Sequence, residues 1–446
     1  MNIIQIVSDT FRRDRLGIYG NNWIHTPYLD RFGAMSTVFD KAYICSFPTV
    51  PARYEFLTGK VAFPTRGWEP MPRDQTTIAE YLREKGYISM MIFDTANLIR
   101  HGFNYAKGFD AFEWIRGQEG DEYSIDYMNV DLGTPPEKLR SGWQHNLYQH
   151  RRSTAKRYQE REYFVAKTMS TACDWLERNY KWEKFFLYVD TFDPHEPWDP
   201  PEWYIRLYEK YWNGDRLDYP IGGPIKDRFS QAEIKHIRAI YAAEVTLVDK
   251  WVGRLLEKIE DLGLFKNTMV IFTTDHGTQQ GEHGIMMKGQ GMYEEVCHIP
   301  LFIYYPGVKS GQRAQALVQI LDVAATVVHA AGAPELEKLD GYSLLPLLQD
   351  KKSILRTIAP CSPNLITQKS TYSMSITDGI WSLVFFNDGR FPELYYLPSD
   401  PKQLKNIISE HKKQAYNLFT QFIEFSRKYR APKDVLEYLK ETVKIL

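Results

Sequence analysis

Residues 269–277 read Met269-Val270-Ile271-Phe272-Thr273-Thr274-Asp275-His276-Gly277, an apolar run that breaks into a carboxylate, an imidazole and a glycine. Before it, 231–262 alternates apolar and charged positions with helical period and stops at Gly263, which predicts a long amphipathic helix feeding a buried strand. Helix followed by apolar strand is the unit of a mostly parallel sheet covered by helices. Asp275 and His276 then stand at the strand's carboxyl end, the edge at which open α/β sheets bind ligands. A hard oxygen and an imidazole on adjacent residues suit Mg, Mn, Ca or Zn, and Gly277 permits the sharp turn that follows.

The same rhythm runs outward in both directions. Ile3 to Val7, Tyr87 to Phe93, Phe185 to Val189 and Leu301 to Tyr305 are further strands, and Thr76 to Lys85 is a helix ending at Gly86. Ile3 to Val7 delivers Asp9 to the ligand edge. Alone, an aspartate after a strand is more often a helix cap than a ligand, but two strand ends from opposite halves of the chain favour a shared metal site. From about Pro360, alternating stretches at Tyr372 to Ile376, Trp381 to Phe386 and Leu394 to Leu397 predict antiparallel strands with tight turns such as Asn387-Asp388-Gly389, and Lys412 to Tyr429 predicts a helix packed on them. The expected organisation is an α/β catalytic domain over 1–355 and a smaller α+β subdomain over 356–446. Between 113 and 160 the pattern weakens while Trp114, Tyr123, Tyr127, Trp143 and Tyr148 accumulate. That insertion reads equally as packing decoration or as a lid or subunit contact, its aromatics lining a hydrophobic substrate pocket or a homo-oligomer interface.

With 446 residues the chain is long enough for one large domain and a satellite, since single cores stop growing at roughly 250–300 residues. Lys+Arg (55) and Asp+Glu (56) nearly cancel, which argues against a nucleic-acid partner. Arg151, Arg152, Lys156 and Arg157 read as a solvated helix face. Cys45, Cys173, Cys297 and Cys361 are few and widely spaced, so they read as reduced thiols. The N-terminus enters a strand without a leader pattern, and no stretch approaches the ~18 unbroken apolar residues of a membrane span. A cytoplasmic protein with no membrane partner is the expectation.

Residues 46–59 read Ser46-Phe47-Pro48-Thr49-Val50-Pro51-Ala52-Arg53-Tyr54-Glu55-Phe56-Leu57-Thr58-Gly59. A nucleophile, one residue, proline, a small residue and arginine, followed by Leu57-Thr58-Gly59, resembles the signature of sulfatases and their phosphonate monoester hydrolase relatives in the alkaline phosphatase superfamily. Asp9 to Gly20 resembles the family's opening, Asp193-Pro194-His195-Glu196-Pro197 its central histidine motif, and Thr274 to Lys288 with Gly281-Glu282-His283-Gly284 its metal-and-lysine block. Glu393-Leu394-Tyr395 with Asp400-Pro401 resembles its tail. The resemblance implies an alkaline-phosphatase-like three-layer sandwich that acts on a small anionic ester. It implies one divalent cation held by Asp9, Asp275, His276 and Thr49, with Arg53 steadying the nucleophile. His195 is then an acid or leaving-group contact, and Lys288 grips an ester oxygen. Without it, His195 reads as a loop histidine satisfied locally and Lys288 as an exposed lysine. His283 stands between a functional role and merely holding its glycine turn.

Two departures bear on the chemistry. Sulfatases carry cysteine or serine at the Thr49 position and convert it to formylglycine, an aldehyde that threonine does not supply by that route; Cys45 has its proline in the wrong register. Many sulfatases also carry a second metal-binding aspartate where Thr10 stands. Thr49 remains a plausible nucleophile because a metal ion stabilises an alkoxide. A covalent sulfo-threonine lacks the carbonyl route by which sulfate leaves, which favours phosphodiesters or phosphonate monoesters over sulfate esters. A sulfate-ester hydrolase without formylglycine, a catalytically silent anion-binding protein, and a two-metal site using Asp190 or Asp193 with His195 and His283 are the alternatives. Thr95 resembles a substrate-binding threonine of the phosphonate monoester hydrolases; a helix N-cap is the other reading.

Overall fold

Eight of the chain's strands form one sheet in the order Gln312–Gln319, Thr37–Tyr43, Leu301–Tyr304, Thr268–Thr273, Asn2–Ser8, Phe185–Thr191, Ile88–Phe93, Ala111–Trp114. The computed structural model describes residues 1–140, 142, 144–333, 338–349, 354–366 and 373–443; Trp143 and Tyr372 lie outside them. Neighbouring strands are parallel except where Leu301–Tyr304 is inserted. The central strand has no solvent face. Ile4 and Ile6 pack under helices Pro27–Met35, Phe164–Asn179 and Gln231–Asp261, while Ile3 and Val7 pack under Thr49–Thr58, Ile78–Glu84 and Leu321–Ala330. This is the expected three-layer α/β sandwich.

The long helix begins where its sequence says it should. Ser230 accepts from the Glu233 amide in a capping box, and Thr77 with Glu80 starts Ile78–Glu84 in the same way. The strands of this sheet that were not predicted are its two edges, Gln312–Gln319 and Ala111–Trp114, and Thr37–Tyr43 beside the first of them. Gln312–Gln319 alternates exposure along its first half, and Asp40 and Lys41 interrupt Thr37–Tyr43, so neither shows the unbroken apolar run of a doubly covered strand.

The C-terminal sheet runs Glu393–Tyr396, Trp381–Phe386, Ser373–Thr377, Ala359–Pro363, and its fifth strand is Ser46–Phe47, which pairs in parallel with Ser362 and Pro363. Helices Lys412–Lys428 and Lys433–Thr442 cover it, burying Leu418 and Phe422 against Met374 and Phe385. Cys45 lies in this second core. The segment leading to Thr49 therefore belongs to both sheets.

The insertion contains helix Gln144–Thr154, whose Leu147, Gln149, His150 and Arg151 are buried. Tyr123 and Tyr127 are exposed to solvent. The expected solvated face at Arg151, Arg152, Lys156 and Arg157 is corrected in part. Lys156 is exposed, but Arg157 binds Asp199 at 2.6 Å and Arg151 binds Asp218, because acids distant in sequence fold onto that helix. No helix among the described residues is long and apolar enough to cross a membrane.

Helix Gln231–Asp261 meets Pro27–Met35 at Gly253, where a Cβ would stand 2.3 Å from the Tyr28 ring. Gly253→Ala is expected to destabilise the protein by about 1–3 kcal/mol in denaturant unfolding. An unchanged midpoint would mean that the two helices are not packed this closely.

Candidate active site

Asn2–Ser8 and Thr268–Thr273 are adjacent and parallel, with Val7 level with Thr273, so residues 9 and 275 leave the sheet side by side. Asp9, Asp275 and His276 are fully buried, and one ligand atom from each lies within 4.8 Å of the others. Asp9 Oδ2, Asp275 Oδ2 and His276 Nε2 have no hydrogen-bond partner. The two oxygens meet Arg53 Nη1 as ion pairs without a hydrogen bond, and two carboxylate oxygens with one imidazole nitrogen are the donor set of a divalent cation. His276 Nδ1 donates to the Gly277 carbonyl at 3.0 Å, which leaves Nε2 as the lone pair. Burial drives this imidazole down to about 3, so it is neutral, as a ligand must be. Burial, and after it the charge of Asp275, pushes the Asp9 carboxyl well above the usual range. Burial acts on Asp275 too, but Arg53 and His276 outweigh it and hold that carboxyl low.

Gly277 has a different reason from the expected sharp turn. A Cβ there would lie 2.0 Å from the Glu295 carbonyl oxygen, so the glycine permits close backbone approach, fixed by the Gly277 amide donating to Val296 O at 2.9 Å.

Thr49 is the first residue of helix Thr49–Thr58 and is buried. Two residues earlier, the Phe47 ring lies 4.9 Å from that of His276. One turn later, on the same helix face, Arg53 Nη1 stands 3.2 Å from Asp9 Oδ2 and against Asp275 Oδ2. The rest of its fork is committed to Asp190, through Nε at 2.9 Å and Nη2 at 3.0 Å. Thr49 is thus bracketed by two contacts with the carboxylate–imidazole trio.

Lys288 Nζ donates to Thr10 Oγ1 at 2.9 Å and to Glu196 Oε2 at 3.3 Å. Thr10 adopts φ +59°, an uncommon conformation for a β-branched residue, and four hydrogen bonds hold it there. Its amide donates to Asp275 Oδ1, its hydroxyl donates to Asp9 Oδ1 and accepts from Lys288, and its carbonyl accepts from Tyr241. The other Glu196 oxygen accepts from Arg140 Nη1 at 3.1 Å, so the insertion reaches the Lys288 side of the site. His195 stacks on Phe192 at 3.9 Å and donates from Nδ1 to the Glu196 carbonyl at 2.5 Å. Burial and then Lys288 hold it well below its usual range, leaving a neutral ring with its lone pair on Nε2.

The sequence profile of the family described as Sulfatase matches residues 1–333. The chain belongs to the sulfatase family. A profile described as N-sulphoglucosamine sulphohydrolase, C-terminal, matches residues 281–424. Among its relatives, arylsulfatase K of Canis lupus familiaris is 26% identical over 486 residues, covering 99% of this chain and 85% of the relative. An arylsulfatase of Clostridium perfringens is 26% identical over 455 residues, covering 92% and 91%. The phosphonate monoester hydrolase of Agrobacterium radiobacter superposes with a TM-score of 0.73 at 20% identity over 99% of this chain and 96% of that one. A structure in complex with its substrate D-glucosamine-2-N,6-O-disulfate superposes with a TM-score of 0.75 at 22% identity, over 97% and 99%. Both structures share the fold. The protein is accordingly a sulfatase-family ester hydrolase, and the buried trio fits the divalent cation such enzymes bind.

Within this sulfatase-family site the remaining candidates divide. Thr95 makes no cap; its hydroxyl donates to Asp190 Oδ1 at 2.6 Å, which ties it to Arg53. Asp193 accepts from Gln118 Nε2 and the Val165 amide, and His283 stacks on Tyr293 at 3.8 Å and faces Glu295. Neither joins Asp190 in a second metal cluster among the described residues. The cleft of about 910 Å³ lined by Arg13, Lys41, Glu294 and Lys402 contains none of the catalytic candidates. Sequence reasoning missed Asp190, Glu196 and Arg140 as partners of Arg53 and Lys288. Asp190 was the findable one, a carboxylate at the end of a predicted strand.

Two outcomes follow from these contacts. If Thr95 acts through Asp190 and Arg53, Thr95→Val lowers kcat by about tenfold with KM unchanged; a rise in KM alone would put its hydroxyl on substrate. Glu55, buried on the Thr49 helix, accepts from the Ser46 amide at 3.1 Å and the Ala62 amide at 3.2 Å, and burial pushes its carboxyl from 4.5 up to about 7. The folded state then holds a proton that the unfolded chain has lost, so its contribution to stability is full below pH 4.5 and gone above about pH 7. Unfolding free energy of the wild type minus that of Glu55→Gln should fall across that window with a slope of about one proton; a flat difference would contradict it.

Proposed function

We propose that the protein is a divalent-metal-dependent hydrolase in which Thr49 attacks phosphorus in a phosphodiester or phosphonate monoester. The observation that carries this reading is the bracketing of Thr49, at a helix N-terminus, between Phe47 on His276 and Arg53 on Asp9 and Asp275. A cation held by Asp9, Asp275 and His276 would neutralise charge developing on the nucleophile and the ester oxygens. The helix start adds its own partial positive charge at the same place. His195, neutral with a free lone pair on Nε2, takes the Thr49 proton as the Oγ1–phosphorus bond forms, and gives it to the leaving oxygen as the bond between phosphorus and that oxygen breaks. Water then attacks the phosphothreonine: His195 takes one water proton as the new phosphorus–oxygen bond forms and passes it to Thr49 Oγ1 as the Oγ1–phosphorus bond breaks, which returns both groups to their starting states. Lys288, steadied by Thr10 and Glu196, pairs with a non-bridging ester oxygen. Thr95 and Asp190 hold Arg53, and Arg53 holds Asp9 and Asp275.

The second reading is sulfate-ester hydrolysis through the same threonine, and the arylsulfatase relatives favour it. The threonine side chain argues for phosphorus, because it offers no carbonyl through which a sulfate ester could collapse.

The two readings separate on one metal-loaded preparation assayed with bis(p-nitrophenyl) phosphate and p-nitrophenyl sulfate. The expected result is faster turnover of the phosphodiester, lost on chelation and reduced by about 10³-fold or more in Thr49→Ala. Faster turnover of the sulfate ester would select the second reading. No turnover of either, with anions still raising the melting temperature, would reduce the site to anion binding.

A further inference from the structure

The insertion meets the loop after His195 at a cavity of about 380 Å³, walled by Arg151, Arg157, Arg216, Tyr163, Asn129 and Asp199 among others. Arg151 is only 8% exposed. Its Nη2 donates to Asp218, its Nη1 stands 3.6 Å from Asp199, and neither Nε nor Nη1 has a hydrogen-bond partner. Arg157 uses Nη2 on the Asp199 carboxylate and carbonyl, at 2.6 and 3.1 Å. Arg216 pairs through Nε with Asp218 at 2.7 Å, and its half-exposed side chain stands at the mouth. His150 adds no charge: its Nδ1 accepts from the Glu119 amide, so its Nε2 donates to Asp199 as a neutral ring. Asp131, the other acid on the wall, is at the solvent rim and accepts from the Gly133 amide.

A guanidinium carries five N–H donors in a fixed fork. Asp199 and Asp218 occupy only one nitrogen of each arginine here, and two donor nitrogens of Arg151 are buried without an acceptor. We propose that this cavity is an oxyanion subsite, which takes a sulfate, phosphate or carboxylate group in addition to the one at Thr49. Asp199 is four residues from His195, so their Cα atoms are at most about 14 Å apart. A substrate carrying two anionic groups is the class of ligand that would use both places.

Inorganic sulfate is the probe for the binding arm, which is independent of the hydrolase reading. Titration calorimetry and melting curves on metal-loaded wild type, Arg151→Gln and Arg216→Gln are expected to show at least a tenfold loss of sulfate affinity in the variants, also when each is combined with Lys288→Ala. Should Arg151→Gln fail to fold, Arg216→Gln, at the exposed mouth, carries the test alone. The kinetic arm rests on the proposed function. KM in Arg216→Gln should rise about tenfold for an ester with a second anionic group remote from the scissile bond, and stay unchanged for a simple p-nitrophenyl ester. Lost sulfate binding with both KM values unchanged would assign the same oxyanion chemistry to a free anion. Sulfate affinity equal in wild type and variants would overturn the proposal. A wild type that turns over no ester bears on the hydrolase reading and leaves the sulfate result standing.

Discussion

Three buried carboxylates, Asp9, Asp190 and Asp275, converge on one buried guanidinium, Arg53. Carboxylates away from water are tolerated only when paired and hydrogen-bonded, and a planar fork with five donors is the side chain that can serve several at once. The ends of three parallel strands and the first turns of one helix are thereby held in a single arrangement. One guanidinium does not neutralise three carboxylates. The Asp9 and Asp275 oxygens that meet Arg53 Nη1 as ion pairs, together with His276 Nε2, make no hydrogen bond and are the atoms that suit a cation.

The segment that carries Thr49 is tied to the rest of the fold on both sides. Ser46–Phe47 is hydrogen-bonded to the C-terminal sheet, and Glu55 fastens the same strand to the helix that Thr49 begins. The C-terminal part is in this way structural support for the backbone that leads to Thr49. On the opposite side the insertion is clamped to the His195 loop by buried polar contacts, Gln118 to Asp193, His150 and Arg157 to Asp199. These contacts join the insertion to the loop that carries His195.

What the sequence disclosed follows the physics of burial. Strands covered on both faces, such as 3–7 and 269–273, write themselves as unbroken apolar runs, and the carboxylates and imidazole that follow them stand out. Edge strands such as Gln312–Gln319 carry polar residues on their open face and pass unnoticed. Thr49, Arg53, His195 and Lys288 are singled out by ordered motif resemblance, whereas Asp190, Glu196 and Arg140 join Arg53 and Lys288 only by contacts between residues distant in the chain, and no local pattern announces such a pairing. Charge periodicity misled at Arg151 and Arg157 for the same reason, since the acids that bury them lie beyond residue 198. Gly277 was noticed for its position, but its cause, the nearness of the Glu295 carbonyl, exists only in three dimensions.

The account stands or falls on the oxygen of residue 49 becoming covalently bound during turnover. Rapid quenching of the metal-loaded enzyme with a phosphodiester across the first turnover, followed by peptide mass analysis of residues 46–59, measures this directly. The account predicts a transient phosphoryl adduct on Thr49 that rises before product release is complete. Full turnover with that peptide unmodified at every quench time would contradict it.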